Sequence, residues 1–222
     1  MEPDLSHVGF IFDCDGTLID SIGAWLDAEA SVARAAGVVL SKEQRDRLNT
    51  LTLPEAGEFF HQGFGIGASG AAVAARIDAF MLDFYRQRAE GRPGALAFVR
   101  RLSERGARIT VASSSPRSFL EAGLERVGFS PFLDVIVSVD DVEGTKRDPF
   151  IFRRCCEIMG VEPQCTWGFD DSAYALESMA ASGVRCVGVY SSPSCSTESE
   201  LAAVSDLVIP DFLGLDLRRF AL

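Results

Sequence analysis

Six short apolar runs punctuate the chain: Val8 to Phe12, Ile109 to Ala112, Val135 to Val137, Thr166 to Phe169, Cys186 to Val189 and Leu207 to Ile209. Each is continuous and rich in β-branched or aromatic residues, which predicts strands buried on both faces. Between them the pattern switches to a helical period over about 93–105, 116–127, 149–159, 172–182 and 197–203. Pro93 and Pro116 suit first helical turns and Ser115 and Ser172 suit N-caps. Gly106, Gly128, Gly160 and Gly183 stand where left-handed C-caps are wanted. Strands alternating with helices predict an α/β fold, a doubly wound parallel sheet with right-handed, Rossmann-like crossovers.

One interval breaks the alternation. From about Ile22 to Gly91 the patterning is helical with no convincing strand: an Ala-rich amphipathic stretch over Ile22 to Ala36, a second helix after Ser41 and a long one over Gly70 to Ala89. The expected division is an α/β core of residues 1–20 and 92–222 and an inserted helical domain of 21–91. Asn49 to Glu55 is expected to connect two of the inserted helices. The glycines of His61 to Gly70 follow no strand, so they lack the context of a dinucleotide loop.

Composition narrows the function. The 222 residues are 47% hydrophobic and 24% charged, and no apolar run approaches the roughly 18 residues of a membrane span. The N-terminal stretch lacks a basic region ahead of its apolar run, so no signal peptide is expected and the cytoplasm is the expected compartment. A formal charge of −11 argues against nucleic-acid or anionic-membrane partners, which call for a basic face. Six cysteines without a CxxC spacing are expected as reduced core thiols. Only Lys42 and Lys146 among the 21 basic residues are lysine, which singles out both.

The candidate chemistry lies just past the strands. The first run ends in Phe12-Asp13-Cys14-Asp15-Gly16-Thr17-Leu18, two carboxylates at the sheet edge where open α/β folds bind ligands. The second ends in Ser113-Ser114-Ser115-Pro116, small hydroxyls and backbone N–H groups at a helix start; Ser115 is read as a helix cap. Lys146 precedes the helix that begins near Pro149, and the fourth run ends in Asp170-Asp171-Ser172. Four strand ends thus bring four acids, a serine and a lysine to one edge.

In this order and placement the motifs resemble those of the haloacid-dehalogenase-like hydrolases, in the branch of phosphoglycolate phosphatase and β-phosphoglucomutase. The matching residues are Asp13 to Leu18 with Asp20-Ser21, Ser113, Lys146 with Asp148-Pro149, and Asp170-Asp171-Ser172. The resemblance covers essentially the whole chain and implies a phosphatase acting on a small phosphorylated metabolite. Asp13 would be the nucleophile that is transiently phosphorylated, and Asp15 the general acid and base. Mg2+ would be held by Asp13, the Asp15 backbone carbonyl, Asp170 and Asp171, with Asp170 on a shorter arm than the family's usual Glu and reaching the ion through water. Lys146 would contact Asp13 and the phosphate. Ser113, Ser114 and the N–H groups around Gly16 would hold phosphoryl oxygens, and Arg117 would reach a further anionic group. The insertion would be a mobile cap that excludes water and selects the leaving group, with Lys42, Arg45, His61, Phe64 and the Asn49 to Glu55 stretch as candidates.

Other readings are weaker. Asp15 disfavours a dehalogenase or a phosphonoacetaldehyde hydrolase. The insertion and the position of Asp13 on the first strand disfavour a response-regulator receiver. A β-phosphoglucomutase-like phosphomutase shares all four motifs and is the enzymatic alternative. A phospho-ligand binding module is the non-enzymatic one, although it would be expected to have lost Asp13 or Asp15.

Overall fold

The computed structural model describes residues 2–221 apart from 49–50, 139–140, 142–143 and 191–194. The described chain forms two compact units, Met1–Ser21 with Ala89–Leu222, and Ile22–Arg88.

The first unit is built on six parallel strands: β1 (Gly9–Phe12), β2 (Arg108–Ser113), β3 (Val135–Ser138), β4 (Thr166–Asp170), β5 (Arg185–Val189) and β6 (Leu207–Ile209), in the order β3-β2-β1-β4-β5-β6. Helices α5 (Ala95–Glu104), α6 (Arg117–Val127), α7 (Pro149–Met159), α8 (Ala173–Ala181) and α9 (Glu198–Val204) cross between the strands. Because strand side chains alternate, β1 sends Phe10 and Phe12 to one face and Ile11 to the other. Phe10 and Phe12 join Phe98, Phe169, Phe212 and Phe220 in a continuous aromatic cluster, with Phe12 and Phe169 stacked at 4.7 Å. Ile11 packs with Ile151 and Phe152 of α7, Leu176 and Met179 of α8, and Leu201 of α9. Full burial of each such side chain contributes about 1.5–3 kcal/mol, so the two aprons hold β1 at the centre of the sheet.

The chain leaves this unit and returns to it along one line. Asp20 N–H donates to the Glu90 carbonyl and Arg92 N–H to that of Leu18, around an antiparallel bridge between Ile19 and Gly91.

The second unit consists of α1 (Ile22–Ala35), α2 (Lys42–Leu48), α3 (Leu53–Phe64) and α4 (Gly70–Gln87). Helix α3 was not expected: Leu53 to Glu55 form its first turn rather than part of a connection. Glu55 accepts from both the N–H and the hydroxyl of Thr52, a T-x-x-E signature that marks the start despite Pro54. Helices α3 and α4 come together at Gly57, where a Cβ would lie 2.3 Å from the Gly70 carbonyl oxygen. On α1, Ala28, Glu29, Val32 and Ala33 form the buried stripe. Glu29 is the anomaly in it: burial pushes its carboxyl up to about 7, and no partner for it occurs among the described residues.

No helix among the described residues is long and apolar enough to cross a membrane. All six cysteines are free, and Cys14, Cys155, Cys156 and Cys186 are buried.

Candidate active site

Parallel strands deliver their carboxyl ends to one edge, and the register fixes which residues meet there. Phe12 lies between Val111 of β2 and Phe169 of β4. The next residue, Asp13, is therefore set beside the ends of both neighbours, and its N–H donates to the Phe169 carbonyl at 2.8 Å. Asp170 closes β4, Asp171 follows it, and Ser113 closes β2 opposite Ser138 of β3.

Lys146 joins these acids. It is 3% exposed, and its Nζ lies 2.5 Å from Asp13 Oδ1 and 2.7 Å from Asp170 Oδ2. Burial alone would lower the lysine's pKa, but the charges of Asp13 and Asp170 more than reverse this and hold it protonated. The acids carry the opposite burden. Burial pushes Asp13 well above the usual carboxylate range; Lys146 opposes the shift, while Asp170, Asp171 and Asp15 add to it. Asp171 is lifted to about 7, first by burial and then by Asp170. One ammonium among these carboxylates leaves an excess of buried negative charge.

That excess fits a divalent cation. Asp13, Asp170 and Asp171 are all buried and present ligand oxygens within 4.8 Å of one another. Asp171 Oδ1 accepts from the Ser172 hydroxyl, while its Oδ2 is buried with no hydrogen-bond partner among the described residues. An all-oxygen donor set with an orphaned carboxylate oxygen is suited to a hard ion such as Mg2+.

Asp15 stands slightly apart, with one hydroxyl donor on each of its carboxylate oxygens. Ser21 Oγ donates to Oδ1 at 2.5 Å and Ser115 Oγ to Oδ2 at 2.6 Å. Ser115 is therefore not the helix cap that its place before Pro116 leads one to expect. Helix α6 begins at Arg117 with Pro116 in the capping position, one residue too late for the Ser115 side chain. Neither hydroxyl was assigned to Asp15 by the sequence, although Ser21 lies within the first motif.

Two further candidates have partners within the chain. The Gly16 N–H donates to the Ile19 carbonyl at 2.9 Å. Gly16 serves the turn, with φ at 74°, a left-handed conformation that favours glycine. Arg117 is occupied: its guanidinium holds the Asp141 carboxylate through Nε and Nη2, and Nη2 also donates to the Ile136 carbonyl. Ser113 is buried with its Oγ accepting from the Ser115 N–H at 3.1 Å, while Ser114 is exposed beside it.

In the helical unit most candidates serve the unit itself. Arg45 donates to the Leu40 carbonyl, His61 Nδ1 lies 3.0 Å from the Ile66 carbonyl oxygen, and Phe64 packs on Phe59 and Phe60. Lys42 opens α2, and Asn49 and Thr50 lie outside the described residues.

Comparison with known proteins agrees with this geometry. The family model for haloacid dehalogenase-like hydrolase matches residues 8–183. Among curated proteins, the chain is 28% identical to validoxylamine A 7'-phosphate phosphatase of Streptomyces hygroscopicus subsp. limoneus, over 90% of this chain and 92% of that one. It is 26% identical to hexitol phosphatase B of Escherichia coli K12, over 92% and 96%. Among solved structures, CbbY from Rhodobacter sphaeroides in complex with phosphate superposes with a TM-score of 0.76 at 22% identity, covering 93% of this chain and 95% of that one, a likeness of fold. The chain belongs to the haloacid dehalogenase-like hydrolase family.

Proposed function

We propose that the protein is a Mg2+-dependent phosphatase that hydrolyses a small phosphorylated metabolite through an aspartyl-phosphate on Asp13. The observation that carries this reading is the meeting of Asp13 with the Lys146 ammonium inside a buried carboxylate cluster in which no second positive charge is paired among the described residues.

A carboxylate oxygen of Asp13 attacks phosphorus as the ester oxygen departs, and the proton carried by Asp15 goes to that leaving oxygen. Asp15 then takes a proton from the water that attacks the acyl-phosphate, which frees inorganic phosphate and restores Asp13. Lys146 keeps Asp13 ionised and oriented and offsets the charge of the incoming dianion. Ser113 and the N–H of Ser114 hold phosphoryl oxygens. Asp13, Asp171 and the Asp15 carbonyl would hold Mg2+, which when bound would supply positive charge to offset a dianionic ester. Asp170, whose oxygens already accept from Lys146 and the Ser172 N–H, joins through water. The helical unit of residues 22–88 acts as the cap.

The names of the relatives favour a polyol or sugar phosphate as substrate. The absence of any membrane-length helix among the described residues and the free thiols support a cytoplasmic location.

The test is phosphate release from hexitol, hexose, glycolate and p-nitrophenyl phosphates with Mg2+, comparing wild type with Asp13→Asn. We expect turnover that EDTA and the substitution each abolish, with acid-quenched enzyme carrying phosphate only in the wild type. Release from no ester would overturn the reading. Conversion of β-glucose 1-phosphate to the 6-phosphate without release would replace it by the phosphomutase.

A further inference from the structure

We propose that Ser115 is a positioning residue for the acid–base carboxyl of Asp15, a role that rests on the assignment of Asp15 made above. Ser115 is 7% exposed, and its hydroxyl crosses from the β2 end to Asp15 Oδ2 on the β1 loop, a hundred residues away in sequence.

Its backbone is pinned from both sides. The Ser115 N–H donates to Ser113 Oγ at 3.1 Å, and its carbonyl accepts from Ser138 Oγ at 2.8 Å. Ser138 is itself fully buried and paired with Ser113 in the β2–β3 register. Three strand ends therefore fix the point from which the Ser115 hydroxyl reaches Asp15. The Ser21 hydroxyl on the other oxygen completes the clamp and sets the plane of the carboxyl.

The choice of hydroxyls is informative. An acid–base residue alternates between carboxylate and carboxylic acid, so a partner that can only donate serves one state and opposes the other. A serine hydroxyl donates to the carboxylate and, by rotating, accepts from the carboxylic acid. Ser115 can thus hold Asp15 in one place through both half-reactions, which an ammonium or guanidinium could not.

The experiment uses the leaving group as the readout. A p-nitrophenolate departs without a proton, whereas a polyol oxygen must receive one, so the ratio of kcat/KM on hexitol phosphate to that on p-nitrophenyl phosphate reports proton delivery. Each ratio is taken within one enzyme preparation, so a partly misfolded variant does not distort it. In full-length protein with Mg2+, Ser115→Ala should lower the ratio about tenfold, a fraction of the hundredfold or more that general acid catalysis supplies. Ser115→Thr, which keeps a hydroxyl, should hold the ratio within about twofold of the wild type. An unchanged ratio for Ser115→Ala in an active enzyme overturns this inference alone, as does an equal fall for both variants. A wild type that releases phosphate from neither ester overturns the phosphatase reading and this one with it.

Discussion

The Nζ of Lys146 and Oδ1 of Asp13, 133 residues apart in sequence, lie 2.5 Å from each other in a site from which water is almost excluded. Removing one partner of such a pair leaves the other charge buried and unmatched, while Asp170 loses the same ammonium. Lys146→Met should lower kcat about a thousandfold by loss of charge stabilisation. In EDTA it should also destabilise the fold by about 3 kcal/mol, read by urea unfolding. Lys146→Arg should fail to restore activity, because a planar fork does not replace a compact ammonium in so closed a site.

Mg2+ should stabilise the protein by mass action. At a hundredfold excess over Kd the gain is about 2.7 kcal/mol, and for a chain of this size that raises Tm by roughly 5–10 °C. Differential scanning calorimetry with and without EDTA checks it. Asp171→Asn should lose the response while being at least as stable as the wild type without metal, since burial already favours the uncharged form of Asp171.

Glu29 makes the helical unit sensitive to pH. Its pKa in the fold, about 7, stands above the ordinary value of 4.5, so the fold holds the proton more tightly than the unfolded chain does. The stability this contributes is complete below pH 4.5 and is lost as pH rises to about 7. The cost above that point is about 3 kcal/mol at most. Glu29→Gln should therefore raise Tm at pH 8 and leave it nearly unchanged at pH 4.5.

Gly57→Ala tests the contact between α3 and α4. Helix propensity alone would make it stabilising by about 1 kcal/mol. The added methyl would meet the Gly70 carbonyl oxygen and the Ala74 N, which are backbone and cannot swing aside. A net loss of about 2 kcal/mol in urea is expected.

The sheet was legible because its central strands are buried and its strands read as unbroken apolar runs; no observed strand bound differs from the expected one by more than a single residue. Lys146 stood out through its rarity, and the acids through their positions just past strands. Leu53–Phe64 is absent from the expected helices because the stretch Asn49 to Glu55, which holds its Thr52–Glu55 start, reads as a connection. Ser115 was misread because a serine before a proline and a helix fits a cap. Only the register of β2 and β3 and the bend of the β1 loop show where its hydroxyl goes. The isolation of Glu29 has no local signature: its period places it on the inner stripe, but whether a partner waits there is a tertiary fact.

The strand order has a consequence for how the protein comes into being. During synthesis β1 emerges first, yet its neighbours in the sheet are β2 and β4, and Gly9 must wait for Thr166 to complete its pairing. Pairings so distant along the chain form late. Until β4 has left the ribosome, Asp13 has neither Asp170 nor Asp171 beside it. In the nascent chain Asp13 therefore lacks the two carboxylates that flank it in the fold until the core is nearly whole.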